Sequence, residues 1–138
     1  MTLRTVDTNV LIRYLTNDDA LQSPIARRFF DGQDDPQVKF FITLPVICES
    51  VWLLRSPTFG FDREAISHAF EKLLHSPRFT FQDDDVVRKA FHSYRIGRAD
   101  FSDYLILQIG ISKGTKDVVT FDRSFSRERG VTHLGNEL

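Results

Sequence analysis

The sequence predicts an α/β fold, a three-layer α/β/α sandwich with a mostly parallel central sheet. Short apolar runs bounded by turn residues alternate with longer segments of helical periodicity. This alternation is typical of β-α-β units, in which parallel strands pair under crossover helices. A length of 138 residues is enough for one compact core. We therefore expect residues 1–138 to form a single domain.

Five strands are predicted from short runs that are rich in apolar and β-branched residues. They cover residues 3–6, 39–43, 79–81, 117–121 and, at an edge of the sheet, 131–134. The first strand is predicted to be buried. Open α/β sheets bind ligands beyond the carboxyl ends of their strands, so residues that directly follow a strand are candidates for function.

Six helices are predicted from apolar stripes with helical spacing and from residues that start or end helices. They cover residues 10–15, 20–30, 45–55, 63–75, 83–96 and 101–112. Pro45 suits the first turn of the third helix, and Asp62 is the predicted N-cap of the fourth. Ser56-Pro57, Ser76-Pro77 and Gly97 end the third, fourth and fifth helices.

The composition argues against several classes of protein. The net charge is −1, so a strongly basic nucleic-acid binder is not indicated, and contact with a polyanion requires local positive charge. No apolar run approaches the roughly 18 residues of a membrane span. Arg4 and Asp7 interrupt the segment where a secretory signal needs its apolar core. Cys48 is the only cysteine, which excludes an intramolecular disulfide. We expect a cytoplasmic protein without a membrane partner.

Thirteen phenylalanines are many for a domain of this size. Some of them must fill the core. The excess predicts an exposed aromatic surface, which is typical of sites that bind a protein partner. Dimerisation or a bound partner peptide is therefore expected.

Acidic residues at special positions are the strongest functional signal in the chain. Asp7 and Asp122 directly follow predicted strands, and Glu49 lies on an apolar helical stripe. Asp100 and Asp103 are one turn apart at the start of an apolar helix. An unpaired carboxylate in such a place is costly, so these acids are expected to find partners or bind a cation. If they converge, a hard divalent cation such as Mg²⁺ is their natural partner.

Each acid also has a purely structural alternative. Asp7 and Asp122 can bond the backbone amides of turns, and Glu49 can lie on the solvent edge of an amphipathic helix. Asp100 and Asp103 can cap the helix that they start, and for Asp100 capping is the expected role.

Basic residues surround the last two acidic positions. They can hold substrate phosphates or form ordinary surface ion pairs, and the sequence leaves both open. These residues are Arg95, Arg98, Lys116, Arg123, Arg127 and Arg129. The four histidines form no close ligand pair, so zinc chemistry is poorly supported.

Four segments taken in order resemble a known family. They are VDTNVLI at residues 6–12, Glu49 in its helix, ADFSDYLI at residues 99–106 and TFD at residues 120–122. This set resembles a PIN domain, specifically a ribonuclease of the VapC toxin type, and the resemblance covers essentially the whole chain.

The resemblance implies a PIN-like fold and a metal-dependent endoribonuclease that acts as the toxin of a type II toxin-antitoxin pair. It implies that Asp7, Glu49, Asp103 and Asp122 are catalytic and that they bind Mg²⁺ or Mn²⁺, with Asp100 as a further metal ligand. Such an enzyme would hydrolyse RNA with metal-activated water and without a covalent protein intermediate. Thr8, Asn9 and Thr120 would orient the acids through hydrogen bonds.

The resemblance also implies partners. They are an RNA substrate, with transfer RNA among the expected targets, a cognate antitoxin that occupies a groove near the acids, and a second copy in a homodimer. The family often has another acid two positions after its last strand-end Asp, where this chain has Ser124. This difference puts a second metal ion in doubt.

Two other functions remain open. A PIN-like binding module could keep these acids for structure alone. A magnesium-dependent aspartyl phosphoryl-transfer domain would use Asp7 as a nucleophile, but such phosphatases resemble Asp-x-Asp, and this chain has Asn9 at the second position. Receiver domains carry a Lys after a late strand, whereas Lys116 precedes one.

Overall fold

Parallel strand pairs organise the fold. The computed structural model describes residues 1–137, and all strand pairs within this range are parallel. The chain divides into two units, Met1–Asp84 and the residues from Asp85 onward, and each unit has its own sheet. The predicted α/β class with parallel strands is confirmed.

The first unit contains a three-stranded sheet and four helices. Its strands are β1 (Thr2–Thr5), β2 (Val38–Ile42) and β3 (Phe79–Phe81), which lie in the order β1-β2-β3. Its helices are α1 (Thr8–Leu15), α2 (Gln22–Asp31), α3 (Leu44–Arg55) and α4 (Arg63–His75). Each connection between neighbouring strands therefore contains helices, as parallel pairing requires.

The helix boundaries of this unit follow local sequence signals. Asp62 caps α4, because its Oδ1 accepts a hydrogen bond of 2.8 Å from the Ala65 backbone N–H. Pro45 lies in the first turn of α3, as predicted. Asp19 begins the turn before α2 and accepts hydrogen bonds from the backbone N–H groups of Leu21 and Gln22.

Aromatic packing between α2 and the sheet forms the centre of the first unit. Phe30 and Phe40 are at most 1% exposed, and their rings meet edge to face with centroids 4.8 Å apart. Phe79 and Tyr14 extend this cluster. Burial and a hydrogen bond to Asp31 raise the pKa of Tyr14 to about 12. The phenylalanine excess is thus largely used in packing.

The second unit contains two long helices, a two-stranded sheet and two short helices. Its elements are α5 (Asp84–Ile96), which begins at the boundary, α6 (Phe101–Ser112), β4 (Val118–Thr120), a 3₁₀ helix (Phe125–Arg127), β5 (Val131–His133) and α7 (Leu134–Glu137). Phe91, Tyr94 and Phe101 pack together in its core. Phe125, from the 3₁₀ helix, is also buried.

Two predictions about the fold are wrong, and two short helices were not predicted. The first strand was predicted to be buried, but all four residues of β1 are exposed, since it is an edge strand of its sheet. The 3₁₀ helix and α7 were not predicted, because elements of three or four residues carry too few positions to show a period. An exposed phenylalanine surface was predicted, but Phe121 is the one phenylalanine among the large exposed apolar residues of the described chain.

None of the helices within residues 1–137 has the length and apolar character that a membrane span requires.

Candidate active site

Asp7 lies directly after β1 and caps helix α1. Its Oδ1 accepts a hydrogen bond of 2.8 Å from the Thr8 backbone N–H, and its backbone carbonyl accepts from Leu11 N–H. Asp7 therefore lies at the N-terminus of a helix, where the positive end of the helix dipole stabilises a carboxylate. The structural alternative describes Asp7 Oδ1, and the functional role of Asp7 stays a prediction.

Glu49 is connected to Asp7 through a single residue. The Thr8 hydroxyl donates a hydrogen bond of 3.1 Å to Glu49 Oε1, across a sequence separation of 41 residues. Thr8 is only 6% exposed, so packing fixes the position of this hydroxyl. The backbone N–H of Thr8 holds Asp7 and its side chain holds Glu49. The predicted orienting role of Thr8 fits this geometry.

A cleft in the first unit reaches Asp7. It has a volume of about 580 Å³ and lies between the end of β1, α1 and α2. Asn9 lines it beside Asp7, and Arg4 and Phe29 line it further along. The Arg4 guanidinium stands 4.9 Å from the centroid of the Phe29 ring, a cation–π contact. Asp7 is therefore accessible to a ligand that enters this cleft.

Asp100 and Asp103 both lie at the start of α6. Asp100 occupies the N-cap position of α6, but its side chain makes no capping hydrogen bond. Asp103 instead accepts a hydrogen bond from the Asp100 backbone, the reciprocal half of a capping box. Asp100 therefore lies at the predicted cap position, but its side chain does not bond the α6 amides.

Asp103, in the second unit, has a raised pKa. Burial is the main cause that raises its pKa, and the negative charges of Asp100 and Asp122 raise it further. The bond from the Asp100 backbone partly opposes this rise. The carboxylates of Asp100 and Asp122 thus repel that of Asp103, and a bound cation would relieve that repulsion.

Asp122 follows β4 and holds the turn into the 3₁₀ helix. Its Oδ1 accepts hydrogen bonds of 2.9 Å from Ser124 N–H and 3.2 Å from Phe125 N–H. Thr120 Oγ1 accepts from the Asp122 backbone N–H at 3.0 Å, so Thr120 orients the backbone of Asp122 and not its carboxylate. Ser124, which stands where the family often has an acid, contributes a backbone donor to Asp122.

Apolar surroundings were predicted to make Asp7, Glu49, Asp103 and Asp122 costly, and this prediction is wrong for three of them. Asp7, Glu49 and Asp122 are exposed, and Asp103 is partly buried. Strand and helix ends, where Asp7, Asp100 and Asp122 lie, present side chains to solvent even when the runs beside them are apolar. Two observations still favour a functional role. The negative charges of Asp100 and Asp122 raise the pKa of Asp103, and Asp7 and Glu49 share Thr8 as a hydrogen-bond partner.

The donor chemistry suits a hard divalent cation, since all five candidates are carboxylates and such ions prefer oxygen ligands. Within residues 1–137, no three His, Cys, Asp or Glu side chains form a ready-made metal site. Asp7 and Glu49 are each hydrogen-bonded to Thr8. Asp100 and Asp122 lie close enough to Asp103 to raise its pKa.

The basic residues near the last two acids are exposed. This holds for Lys116, Arg123, Arg127 and Arg129, which lie in or beside the segment that contains β4 and the 3₁₀ helix. Such long cationic side chains can reach phosphate groups of a bound polyanion.

Comparison with known proteins identifies the fold family. The model of the PIN domain matches residues 5–130, which include all five acidic candidates. The chain belongs to the PIN-domain family. This confirms the predicted PIN-like fold, and the parallel strands are consistent with the predicted three-layer sandwich. The match runs through both units, and the single domain over residues 1–138 stays a prediction.

A curated relative agrees with the more specific resemblance. The chain is 27% identical over 125 residues to a VapC ribonuclease of Aquifex aeolicus (strain VF5), and the alignment covers 91% of each chain. Among solved structures, the chain resembles Mycobacterium tuberculosis VapC20, a sarcin-ricin loop cleaving toxin. That alignment covers 96% of this chain and 98% of the other, with 19% identity and a TM-score of 0.43.

Tyr104 supports the start of α6, although the sequence did not single it out. Its hydroxyl donates to Glu128 Oε1 at 2.6 Å and accepts from the backbone N–H groups of Arg98 and Ala99. Burial and the hydrogen bond to Glu128 raise its pKa. The sequence could have indicated this role, because Tyr104 directly follows Asp103 and lies on the buried side of α6.

Proposed function

We propose that this PIN-domain protein is a Mg²⁺- or Mn²⁺-dependent endoribonuclease of the VapC toxin type. The observation that carries the proposal is the PIN match over residues 5–130, which spans the five acids. The similarity to a VapC ribonuclease over 91% of the chain supports RNA as the substrate. The match leaves the aspartyl phosphoryl-transfer alternative without support.

In this proposal Asp7, Glu49, Asp103 and Asp122 are the catalytic acids, and together with Asp100 they are the metal ligands. A bound divalent cation would activate a water molecule and neutralise charge on the scissile phosphate. The chain's own contribution is orientation, because Thr8 fixes Asp7 and Glu49 through two hydrogen bonds.

The acids of the second unit contribute charge and position. Asp122 is held by two backbone donors, so its carboxylate cannot swing freely away from the end of β4. Asp103 is anchored to the backbone of Asp100. Carboxylates that are fixed before the ligand arrives lose less conformational entropy when they bind it.

We further propose the partners that the family resemblance implied. They are RNA, with transfer RNA as one candidate, a cognate antitoxin that inhibits the enzyme, and a second copy of the chain in a homodimer. The cytoplasm, where such RNA and such an antitoxin meet, is the proposed location.

A cleavage assay tests the proposal. Partner-free protein is incubated with bacterial RNA in Mg²⁺, in Mn²⁺ and in EDTA, and the products are separated on a denaturing gel. We expect discrete fragments that need a metal ion and that vanish with Asp7→Asn. Asp34→Asn is the matched control, because Asp34 is an exposed loop acid outside the proposed site.

Two results would contradict this function. Cleavage by Asp7→Asn at the rate of the unmodified protein would point to a contaminating nuclease. Absence of cleavage across several RNA pools, together with no calorimetric binding of Mg²⁺ or Mn²⁺, would favour the non-catalytic binding module.

A further inference from the structure

Trp52 is the only tryptophan of the chain and one of its most exposed apolar side chains. It is 69% exposed, although an indole gains more from burial than almost any other side chain. Its helix, α3, is otherwise well buried through Ile47, Val51 and Leu54. The fold therefore does not need this ring for its core.

Trp52 lies one helical turn after Glu49 on the exposed side of α3. Both residues are exposed, and they are separated by three positions. Helical residues with this spacing are surface neighbours, about 5–6 Å apart at Cβ. Helical side chains also lean toward the N-terminus of their helix, which carries the indole of Trp52 toward the turn that contains Glu49.

We infer that Trp52 contacts the substrate, by stacking on an unpaired RNA base next to the scissile phosphate. This inference rests on the proposed ribonuclease function, because it takes Glu49 as a catalytic acid. A nucleotide whose phosphate is held at Glu49 has its base within reach of a ring one turn away. Proteins that read single-stranded RNA commonly hold such bases on aromatic side chains.

The chemistry of the position favours an aromatic ring over a cation. Glu49 already accepts a hydrogen bond from Thr8, and a Lys or Arg one turn away would compete for its remaining oxygen. A neutral indole adds affinity for the base and leaves the carboxylate charge available to a metal ion. Trp52 thus binds substrate without disturbing the acids.

The sole tryptophan makes the contact directly observable. Single-stranded RNA oligonucleotide is titrated into the Asp7→Asn protein in Mg²⁺, so that the RNA is not cleaved, and tryptophan fluorescence is recorded. Stacking of a base on the indole predicts saturable quenching. No change in fluorescence at RNA concentrations that saturate binding by filter retention would overturn the inference.

Kinetics of the Trp52 variants give the second readout. Trp52→Ala is expected to raise the KM for RNA by about 5- to 100-fold with kcat within about twofold, since one base–aromatic stack is lost. Trp52→Phe keeps a ring and should recover most of the affinity. Leu21→Ala, which truncates another exposed apolar residue of the first unit, should leave KM unchanged.

The possible failures are distinguishable. If the unmodified protein cleaves no RNA, the proposed function fails, and the quenching titration still decides whether Trp52 meets RNA. If the unmodified protein cleaves RNA but Trp52→Ala has an unchanged KM, the stacking inference fails alone. If Trp52→Ala converts a dimer into a monomer in analytical ultracentrifugation, Trp52 belongs to an interface between copies and the inference is overturned.

Discussion

At the scale of single residues, Thr8 is hydrogen-bonded to both Asp7 and Glu49. Its backbone N–H is bonded to Asp7 and its hydroxyl to Glu49, so one buried residue sets both positions. Any residue except proline keeps the backbone N–H that Asp7 accepts from, whereas the bond to Glu49 needs a side-chain hydroxyl. A substitution of the Thr8 side chain can therefore remove the hydrogen bond to Glu49 and leave the hydrogen bond to Asp7 in place.

Thr8→Val should lower the rate of metal-dependent RNA cleavage by about 10- to 100-fold, the usual cost of losing a group that orients a metal ligand. The reason is that Glu49 loses its fixed donor while Asp7 keeps its own. Single-turnover cleavage at saturating Mg²⁺ measures the effect. Thr8→Ser retains the hydroxyl and should stay near the unmodified rate; an equally slow Thr8→Ser would show that packing, not the hydrogen bond, is responsible.

Asp103 predicts a pH dependence of stability in the metal-free protein. Its folded-state pKa is raised above the ordinary value of 3.8, mainly by burial. Between those two values the folded protein binds more protons than the unfolded chain. The free energy of unfolding therefore falls as pH rises through this window, and the ionised Asp103 destabilises the fold at neutral pH.

Asp103→Asn should thus raise the melting temperature at pH 7 in EDTA by about 1–4 °C, a modest gain because the site is only partly buried. The difference should disappear below the ordinary pKa of 3.8, where both side chains are neutral. Differential scanning calorimetry across this pH range is the measurement. A variant that is less stable than the unmodified protein at pH 7 would refute the repulsion among Asp100, Asp103 and Asp122.

At the scale of elements, the start of α6 depends on a close contact between Gly97 and Tyr104. A Cβ on Gly97 would lie 1.8 Å from the Tyr104 hydroxyl, so no larger residue fits there without movement. The same hydroxyl binds Glu128 and two backbone N–H groups of the loop before α6. This loop ends at Asp100, and Asp103 lies in the first turn of α6, so the packing of Gly97 against Tyr104 helps to position both acids.

Tyr104→Phe should lower the free energy of unfolding by about 1–3 kcal/mol, because a buried hydrogen-bond centre is lost while the ring is kept. Gly97→Ala should cost at least as much, since the clash displaces the same hydroxyl. Urea denaturation measures both. Gly60→Ala is a useful comparison for steric effects, because no atom lies within 4 Å of its added Cβ, although its φ of +66° brings some strain.

Sequence signals predicted elements best where a local chemical cause fixes their ends. Asp62, at the start of α4, and Gly97, after α5, mark boundaries that the structure reproduces. The burial of β1 was not predictable in this way, because an apolar run looks the same in an edge strand as in a central one.

At the scale of the whole molecule, the order of the acids along the chain carried the family assignment, and their surroundings could not be read from it. Whether Asp7, Glu49 or Asp122 is exposed depends on how distant segments pack, which no local pattern reports. Thr8 was proposed from the sequence to orient an acid, yet its bond to Glu49, 41 residues away, became visible only in the structure.

The exposure of Trp52 on α3 was likewise not predictable from the sequence. Trp52 was part of an apolar helix in the sequence, and its exposure next to Glu49 emerged only with the fold. Ring-rich segments elsewhere, such as Phe29-Phe30, contribute to the core cluster as composition suggested.

The central proposal is that Asp7 and Asp103 both act as catalytic acids of a metal-dependent ribonuclease. A double-mutant cycle with Asp7→Asn and Asp103→Asn, measured as single-turnover RNA cleavage in Mg²⁺, tests it most directly. Residues that act as a unit have strongly non-additive effects, so we predict that each single variant loses on the order of 1,000-fold and that the double variant loses little more. Losses that multiply, or a single variant with full activity, would contradict the claim.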